Sequence, residues 1–294
     1  MRYASAGAFR TALEQRLLRQ SEQKAVPLVR LRKLAVFDRL LARLLVAAPD
    51  RWILKGAVAL HYRVGPTFRT TRDLDLGRQD DEQAATTDFR RAQSVDLGDY
   101  FVFSIQRTTK LDALRDGVAV RYHLAAHVDG RPFEDVTIDV GFGDPPLSAP
   151  DVLRGPDLLS FAEIPPAEVP TLPLEQHVAE KLHAYTRAYA SGQVSTRVKD
   201  LIDLLLIGSL FPFQASRLRS ALRATFDTRG SQPLPLTFPP PPPGWRAPFR
   251  RMATEIGVDS ELSVGYEQAK GFLDPLLAGS VSDDARWDPV LQRW

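Results

Sequence analysis

Apolar and polar positions follow two different rhythms along this chain, and the switches between them mark its organisation. Residues 6–20 and 27–48 keep the period of a helix. In the second, Leu31, Leu34, Leu41, Leu44 and Leu45 recur on one face, and Pro49-Asp50 ends the run. The stretch WILKGAVALHYRVG predicts a short apolar strand, a turn at Gly56, and a helix stopping near Gly65-Pro66. TRDLDLG then alternates polar and apolar, as a half-buried strand does. DEQAATTDFRRAQS predicts a helix. YFVFSIQR, GVAVRYHLAAHV and FEDVTIDVGFG predict strands, with an Asp129-Gly130 turn between the last two. The first half is therefore mixed, with a mostly antiparallel or mixed sheet.

Residues 143–173 are rich in proline and read as a connecting segment. From residue 174 the helical rhythm returns, in LEQHVAEKLHAYTRAYA, RVKDLIDLLLIGSL and FQASRLRSALRATFD. Residues 232–244, QPLPLTFPPPPPG, fit neither a helix nor a central strand and predict an extended spacer before the last helices. The fold class expected is α+β. Residues 1–165 would form a mixed-sheet domain with N-terminal helices, and residues 166–294 a helical domain.

Composition narrows the class. With 44% hydrophobic and 25% charged residues, the chain reads as an ordinary globule. It holds no cysteine, which excludes disulfides, thiolate metal sites and a cysteine nucleophile. No run of eighteen apolar residues is present, so no membrane span or membrane partner is expected, and the amphipathic N-terminus lacks a signal-peptide core. The cytoplasm is the expected location. The net charge of +2 hides a cluster of Arg10, Arg16, Arg19, Lys24, Arg30, Arg32, Lys33, Arg39 and Arg43. Such a cluster is either a solvated helix face or a surface for a phosphate backbone.

The candidate chemistry begins at Asp73 and Asp75. Residues two apart on a strand share a face, roughly 7 Å apart, while Leu74 and Leu76 turn to the core. Two like charges so placed repel unless a cation lies between them. Mg²⁺ suits the pair, because it takes oxygen ligands and shares them with substrate phosphates. Asp139, flanked by Ile138 and Val140, supplies a third acid if its strand lies alongside; three converging acids would suit two-metal phosphoryl or nucleotidyl transfer. The plain alternative is ion pairing with Arg69, Arg72 and Arg78. Lys55-Gly56 adds context, since backbone N–H groups at a strand-to-helix turn can hold a triphosphate. A simple turn glycine is the alternative there.

LKGAVAL followed by FRTTRDLDLG resembles the AbiEii/AbiGii toxin family of nucleotidyltransferases, which includes the MenT toxins. The elements stand in order: Leu54 to Leu60, Thr71 to Leu76, Asp139, Glu180-Lys181, and Lys199-Asp200-Leu201-Ile202-Asp203. Ala57 stands where the family usually has Gly or Ser, which removes a hydroxyl or some backbone freedom beside the phosphates. The resemblance implies a polymerase-β-like nucleotidyltransferase fold, Mg²⁺, an NTP co-substrate, tRNA modified at its acceptor end, and a cognate antitoxin acting as a neutralising protein or a kinase. It implies that Asp73, Asp75 and Asp139 bind metal, with Asp139 as general base or further ligand. Lys55, Gly56, Ala57, Lys181, Lys199 and Arg197 would hold the triphosphate, and Asp203 would orient Lys181 or the nucleophile. Thr71 falls where relatives carry a hydroxyl that phosphorylation can silence.

On the first helix of the helical half, Val178, Leu182, Tyr185 and Tyr189 form an apolar stripe flanked by Lys181, with His183 and Arg187 read as surface residues. On the next, Asp200 and Asp203 share a face, and Lys199 could pair with Asp203 at i,i+4. The leading expectation is an Mg²⁺-dependent nucleotidyltransferase toxin acting on tRNA. The rivals are transfer to a protein or small molecule, and a non-catalytic nucleotide- or nucleic-acid-binding module.

Overall fold

A computed structural model describes residues 2–65, 69, 71–111, 118–143, 145–187 and 197–294. It divides into two compact units, Met1–Pro145 with Ala149–Leu172, and Pro146–Ser148 with Pro173–Trp294.

The first unit is built on a seven-stranded mixed sheet in the order β3-β4-β5-β2-β1-β7-β6. Its strands are β1 (Ile53–Lys55), β2 (Asp73–Arg78), β3 (Phe101–Lys110), β4 (Val118–Val128), β5 (Arg131–Phe142), β6 (Asp151–Arg154) and β7 (Glu168–Thr171). β2 runs parallel to β5 and β1 parallel to β7, and the other pairings are antiparallel. The helices are α1 (Ala6–Lys24), α2 (Leu28–Ala47), α3 (Gly56–Val64) and α4 (Glu82–Ser94). β6 and β7 come from the proline-rich stretch that the sequence presents as a connector. Their pairing on β1 carries the first unit to Leu172, beyond the expected boundary at 165. Four-residue strands, one of them holding a proline, carry too little alternation to be read from sequence.

One face of the sheet is the core. Leu74, Leu76, Val120, Tyr122, Leu124, Ile138 and Val140 lie at 0–1% exposure and join the buried residues of α1, α2 and α4. Each such side chain contributes about 1.5–3 kcal/mol. Trp52 meets Phe89 edge-on and Phe89 tilts against Tyr122 beneath it, with ring centroids 5.1 and 4.4 Å apart. Arg78 lies 4.1 Å over the Trp52 ring and pairs with Asp80 and Asp88. It therefore belongs to the core face and is no partner for Asp73 or Asp75. The opposite sheet face is polar, as an antiparallel sheet covered on one side allows.

The N-terminal basic cluster is divided, with Arg30, Arg39 and Arg43 buried and Arg16, Arg19 and Lys24 exposed. Arg43 is 1% exposed and forks onto Asp99, Nη1 to Oδ2 at 2.9 Å and Nη2 to Oδ1 at 2.5 Å, while also donating to the Phe101 carbonyl. Arg39 is buried on Asp38, whose other oxygen accepts the Ala167 N–H at 2.8 Å. Arg10 donates to the carbonyls of Val128, Arg131 and Pro132 around the β4–β5 turn. Arg32 pairs with Glu14, and Arg16 stacks on Phe161. Counting charges along a helix does not reveal that three of these nine cations, Arg30, Arg39 and Arg43, are buried.

Arg30 also sits inside, 3.4 Å from Nδ1 of His61 on α3. Burial, with the Arg30 charge adding to it, pushes the His61 pKa down to about 4. The unfolded histidine binds more protons between its ordinary value and pH 4, so stability rises with pH across that window and is lost on acidification. Lowering the pH from 6.5 to 4 should cost up to roughly 3 kcal/mol through this residue. Denaturant titrations of wild type and His61→Gln at both pH values should show a smaller acid loss in the variant.

The second unit is helical: α5 (Leu174–Thr186), α6 (Val198–Leu210), α7 (Ala215–Arg229), α8 (Arg246–Ile256) and α9 (Leu262–Leu277). Phe213–Gln214 and Arg286–Trp287 pair as a two-stranded ribbon, β8 and β9. The polyproline stretch is not a free spacer. Phe238 is 1% exposed and stacks on Tyr185 at 4.5 Å and Tyr266 at 5.7 Å. The Tyr185 hydroxyl donates to the Pro239 carbonyl at 2.7 Å. One aromatic residue among the prolines anchors the segment to its own unit.

Candidate active site

Strand register builds the site. The β1–β2 pairing sets Lys55 opposite Asp75, β2–β5 sets Asp75 beside Asp139, and β5–β4 sets Asp139 opposite Arg121. Partners at one level of a sheet share a face. Lys55, Asp75, Asp139 and Arg121 thus form one row across four adjacent strands, on the polar face. A second row, two residues along, holds Asp73, Thr137, His123 and Arg107.

The turn from β1 into α3 is shaped around Asp75. Gly56 has φ +65°, and a Cβ built on it would lie 1.9 Å from Oδ2 of Asp75. Only glycine tolerates both the left-handed backbone and that approach. The carboxylate therefore lies against the first residue of α3, where unpaired N–H groups and the helix dipole favour negative charge. Ala57, the next residue, is buried at 3% exposure. The Lys55 stem packs over Gly77, whose missing side chain leaves it room. Thr71 donates its hydroxyl to the Asp73 carbonyl at 3.2 Å, just ahead of the acid pair.

Both carboxylate oxygens of Asp139 are engaged by one guanidinium. Its Oδ1 accepts from Arg121 Nε and its Oδ2 from Arg121 Nη2, both at 2.6 Å. A metal ion or an attacking hydroxyl would compete with a bidentate guanidinium for the same oxygens. Among the described residues no three His, Asp or Glu side chains are grouped to hold a metal. Two carboxylates on one face fit Mg²⁺, which usually completes its shell with water and substrate phosphates. The hydrogen-bonded pair with Asp139 holds the Arg121 guanidinium further above its ordinary range, and the charges of Asp73 and Asp75 add to that.

The second unit holds its own charge cluster. Lys181 Nζ on α5 lies 2.8 Å from Asp203 Oδ2 and 3.0 Å from Asp200 Oδ1 on α6, and Arg197 lies 3.6 Å from Asp200. Asp203 is 0% exposed and faces Lys181, while Lys199 is exposed, so the i,i+4 pair is not the arrangement adopted. Val178, Leu182 and Tyr185 are buried as the stripe predicts; Tyr189 lies outside the described residues. His183, expected at the surface, is 2% exposed, edge-on to Phe226 and 3.0 Å from the Ser231 hydroxyl.

The profile of the nucleotidyl transferase AbiEii toxin of type IV toxin–antitoxin systems matches residues 39–288. The chain belongs to the AbiEii family of nucleotidyltransferase toxins. Membership brings nucleotidyl transfer and an antitoxin partner. No curated protein matches the chain. Among solved structures it is similar to MenT4, the nucleotidyltransferase toxin Rv2826c from Mycobacterium tuberculosis H37Rv. That match has a TM-score of 0.58 at 19% identity and covers 94% of this chain and 91% of that one. JHP933 from Helicobacter pylori matches at 14% identity and a TM-score of 0.43, over 84% and 93% of the two chains. No described helix is long and apolar enough to cross a membrane.

For an AbiEii-family chain, the residues that sequence reasoning missed are Arg107, Arg121 and His123. Arg107 Nη2 lies 3.1 Å from His123 Nε2. Burial, then the Arg107 and Arg121 charges, hold His123 below the usual histidine range. A neutral ring can accept from Arg107 and steady it. The signal was present in VAVRYHLAAHV, where Arg121 and His123 alternate with the buried Val120, Tyr122 and Leu124.

Proposed function

We propose that this AbiEii-family chain transfers a nucleoside monophosphate from an NTP to the 3′-hydroxyl of RNA, at the tRNA acceptor end, and so blocks translation. The observation that carries the reading is the single-face row of Lys55, Asp75, Asp139 and Arg121 with Asp73 beside it, set at the glycine-shaped start of α3. The hydroxyl oxygen attacks the α-phosphorus, and the bond from that phosphorus to the departing pyrophosphate breaks. The hydroxyl proton leaves to solvent at the open face, since both oxygens of Asp139 are engaged by Arg121.

Lys55 and the N–H groups at Gly56 and Ala57 bind the triphosphate, where helix-terminal donors favour phosphate. Asp73 and Asp75 would hold Mg²⁺, which when bound offsets their repulsion and the charge on the transferring group. Asp139 acts as a positioning residue that fixes Arg121. In the helical unit, Lys181 is held by Asp200 and Asp203, and with Lys199 and Arg197 it forms a cation cluster of that unit's own that would bind phosphate. A kinase antitoxin would act at Thr71, where a phosphate adds about two negative charges beside the acid pair. The cytoplasm, where tRNA is found, is the location this reading requires.

The test is to incubate the protein with total RNA, Mg²⁺ and each α-labelled NTP in turn, then separate RNA, protein and small molecules. Label confined to tRNA supports the reading. Label in protein or in a small molecule assigns a different acceptor, and a toxin that is active in cells without labelling anything contradicts nucleotidyl transfer.

A further inference from the structure

Resting on that reading, we propose that the open face of β3 and β4 beside the acid pair is the docking strip for the phosphates of the acceptor's single-stranded 3′ end, with Arg107, His123 and Arg121 as its contacts. Three observations converge on it. Arg107 is exposed, and Arg121 and His123 are half-exposed, on the same sheet face as Asp73 and Asp75. Both arginines are already oriented, Arg121 by Asp139 and Arg107 by His123, so little side-chain freedom is lost on binding. Of the N-terminal arginines that sequence alone offers for this task, Arg30, Arg39 and Arg43 are buried inside the fold, and Arg10 and Arg32 are tied to the β4–β5 turn and to Glu14.

The dimensions suit a strand of RNA. Arg107 and Asp73 stand three strands apart in one row, about 14 Å at the spacing of neighbouring strands. That is the rise of about four stacked nucleotides. A 3′-hydroxyl placed at the acid pair thus leaves its preceding phosphates over Arg121 and then Arg107. A flat strand face admits a single strand without a groove, and guanidinium groups pair phosphate in a fork geometry. The strip reads backbone charge and not base sequence, so selection of one RNA lies elsewhere.

The experiment measures binding of a 3′-hydroxyl single-stranded RNA oligonucleotide by fluorescence anisotropy over a range of salt, with NTP affinity read on the same preparations. For Arg107→Ala the log–log salt slope should fall by about 1, and for Arg107→Glu by about 2. His123→Ala should weaken RNA binding less than either, and NTP affinity should hold in all three. Arg107 carries no core contact, so its variants should fold. Unchanged RNA binding in Arg107→Glu overturns the strip while leaving RNA as the acceptor. Loss of NTP affinity with RNA binding intact reassigns the arginines to the triphosphate and also overturns it. If wild type binds no RNA, the acceptor reading fails and the strip fails with it.

Discussion

Gly56→Ala should lower nucleotidyl transfer at least a hundredfold. Two penalties coincide at that residue. The left-handed φ of +65° costs an alanine roughly 1–2 kcal/mol. The new Cβ would also sit 1.9 Å from Asp75 Oδ2 and 2.8 Å from its Cβ, so the carboxylate must move. Displacing a reacting group by about 1 Å costs on the order of 10²-fold in rate. Gly130→Ala is the matched control: its φ is also +65°, but no described atom lies within 4 Å of the added Cβ. Both variants should lose stability in thermal unfolding, Gly56→Ala the more because of its clash, while Gly130→Ala keeps its transfer rate. Equal transfer by the two variants would show that the Asp75 contact plays no part.

Asp99→Ala should be the most destabilising single change considered, at about 3–5 kcal/mol, because it strands a buried charge. Asp99 is 0% exposed and receives both terminal nitrogens of Arg43, which is 1% exposed, with Arg39 Nη1 at 3.7 Å. Asp38 already serves Arg39 and the Ala167 N–H, so no acid is left over for Arg43. Arg250→Ala removes half of an exposed pair with Glu261, side chains 64% and 61% exposed, and should change the urea midpoint little. A small effect of Asp99→Ala in urea titration would mean that water reaches Arg43.

Much of the fold was legible because its first half follows its periods closely. α1, α2 and α4 and strands β2 to β5 fall where the helical and alternating rhythms place them, and Asp129-Gly130 turns β4 into β5. β6 and β7 escaped because they are four residues long and set among prolines. The anchoring of the polyproline stretch was not legible because composition reports the prolines, whereas one residue, Phe238, decides where the segment lies.

The site was half legible for a similar reason. Alternation within TRDLDLG puts Asp73 and Asp75 on one face without any tertiary information. That Asp139 stands beside Asp75 follows from the β2–β5 register, which no local pattern contains. That Arg121 then takes both oxygens of Asp139 requires a third strand, so this ion pair was not legible in any local pattern. The arginines of α2 erred in the opposite direction, since a helix with several positive charges reads as a surface until Asp99 is found beneath it.

The central claim is that the row around Asp75 carries the chemistry. The most direct measurement compares wild type and Asp75→Ala in transfer of label from α-labelled NTP to tRNA with Mg²⁺ present, both proteins matched in thermal unfolding. The account predicts label on tRNA with wild type and a loss of at least a thousandfold with Asp75→Ala, the scale on which a positioned charge group acts in transfer chemistry. Undiminished labelling by folded Asp75→Ala would contradict the account and place the reacting centre away from this face.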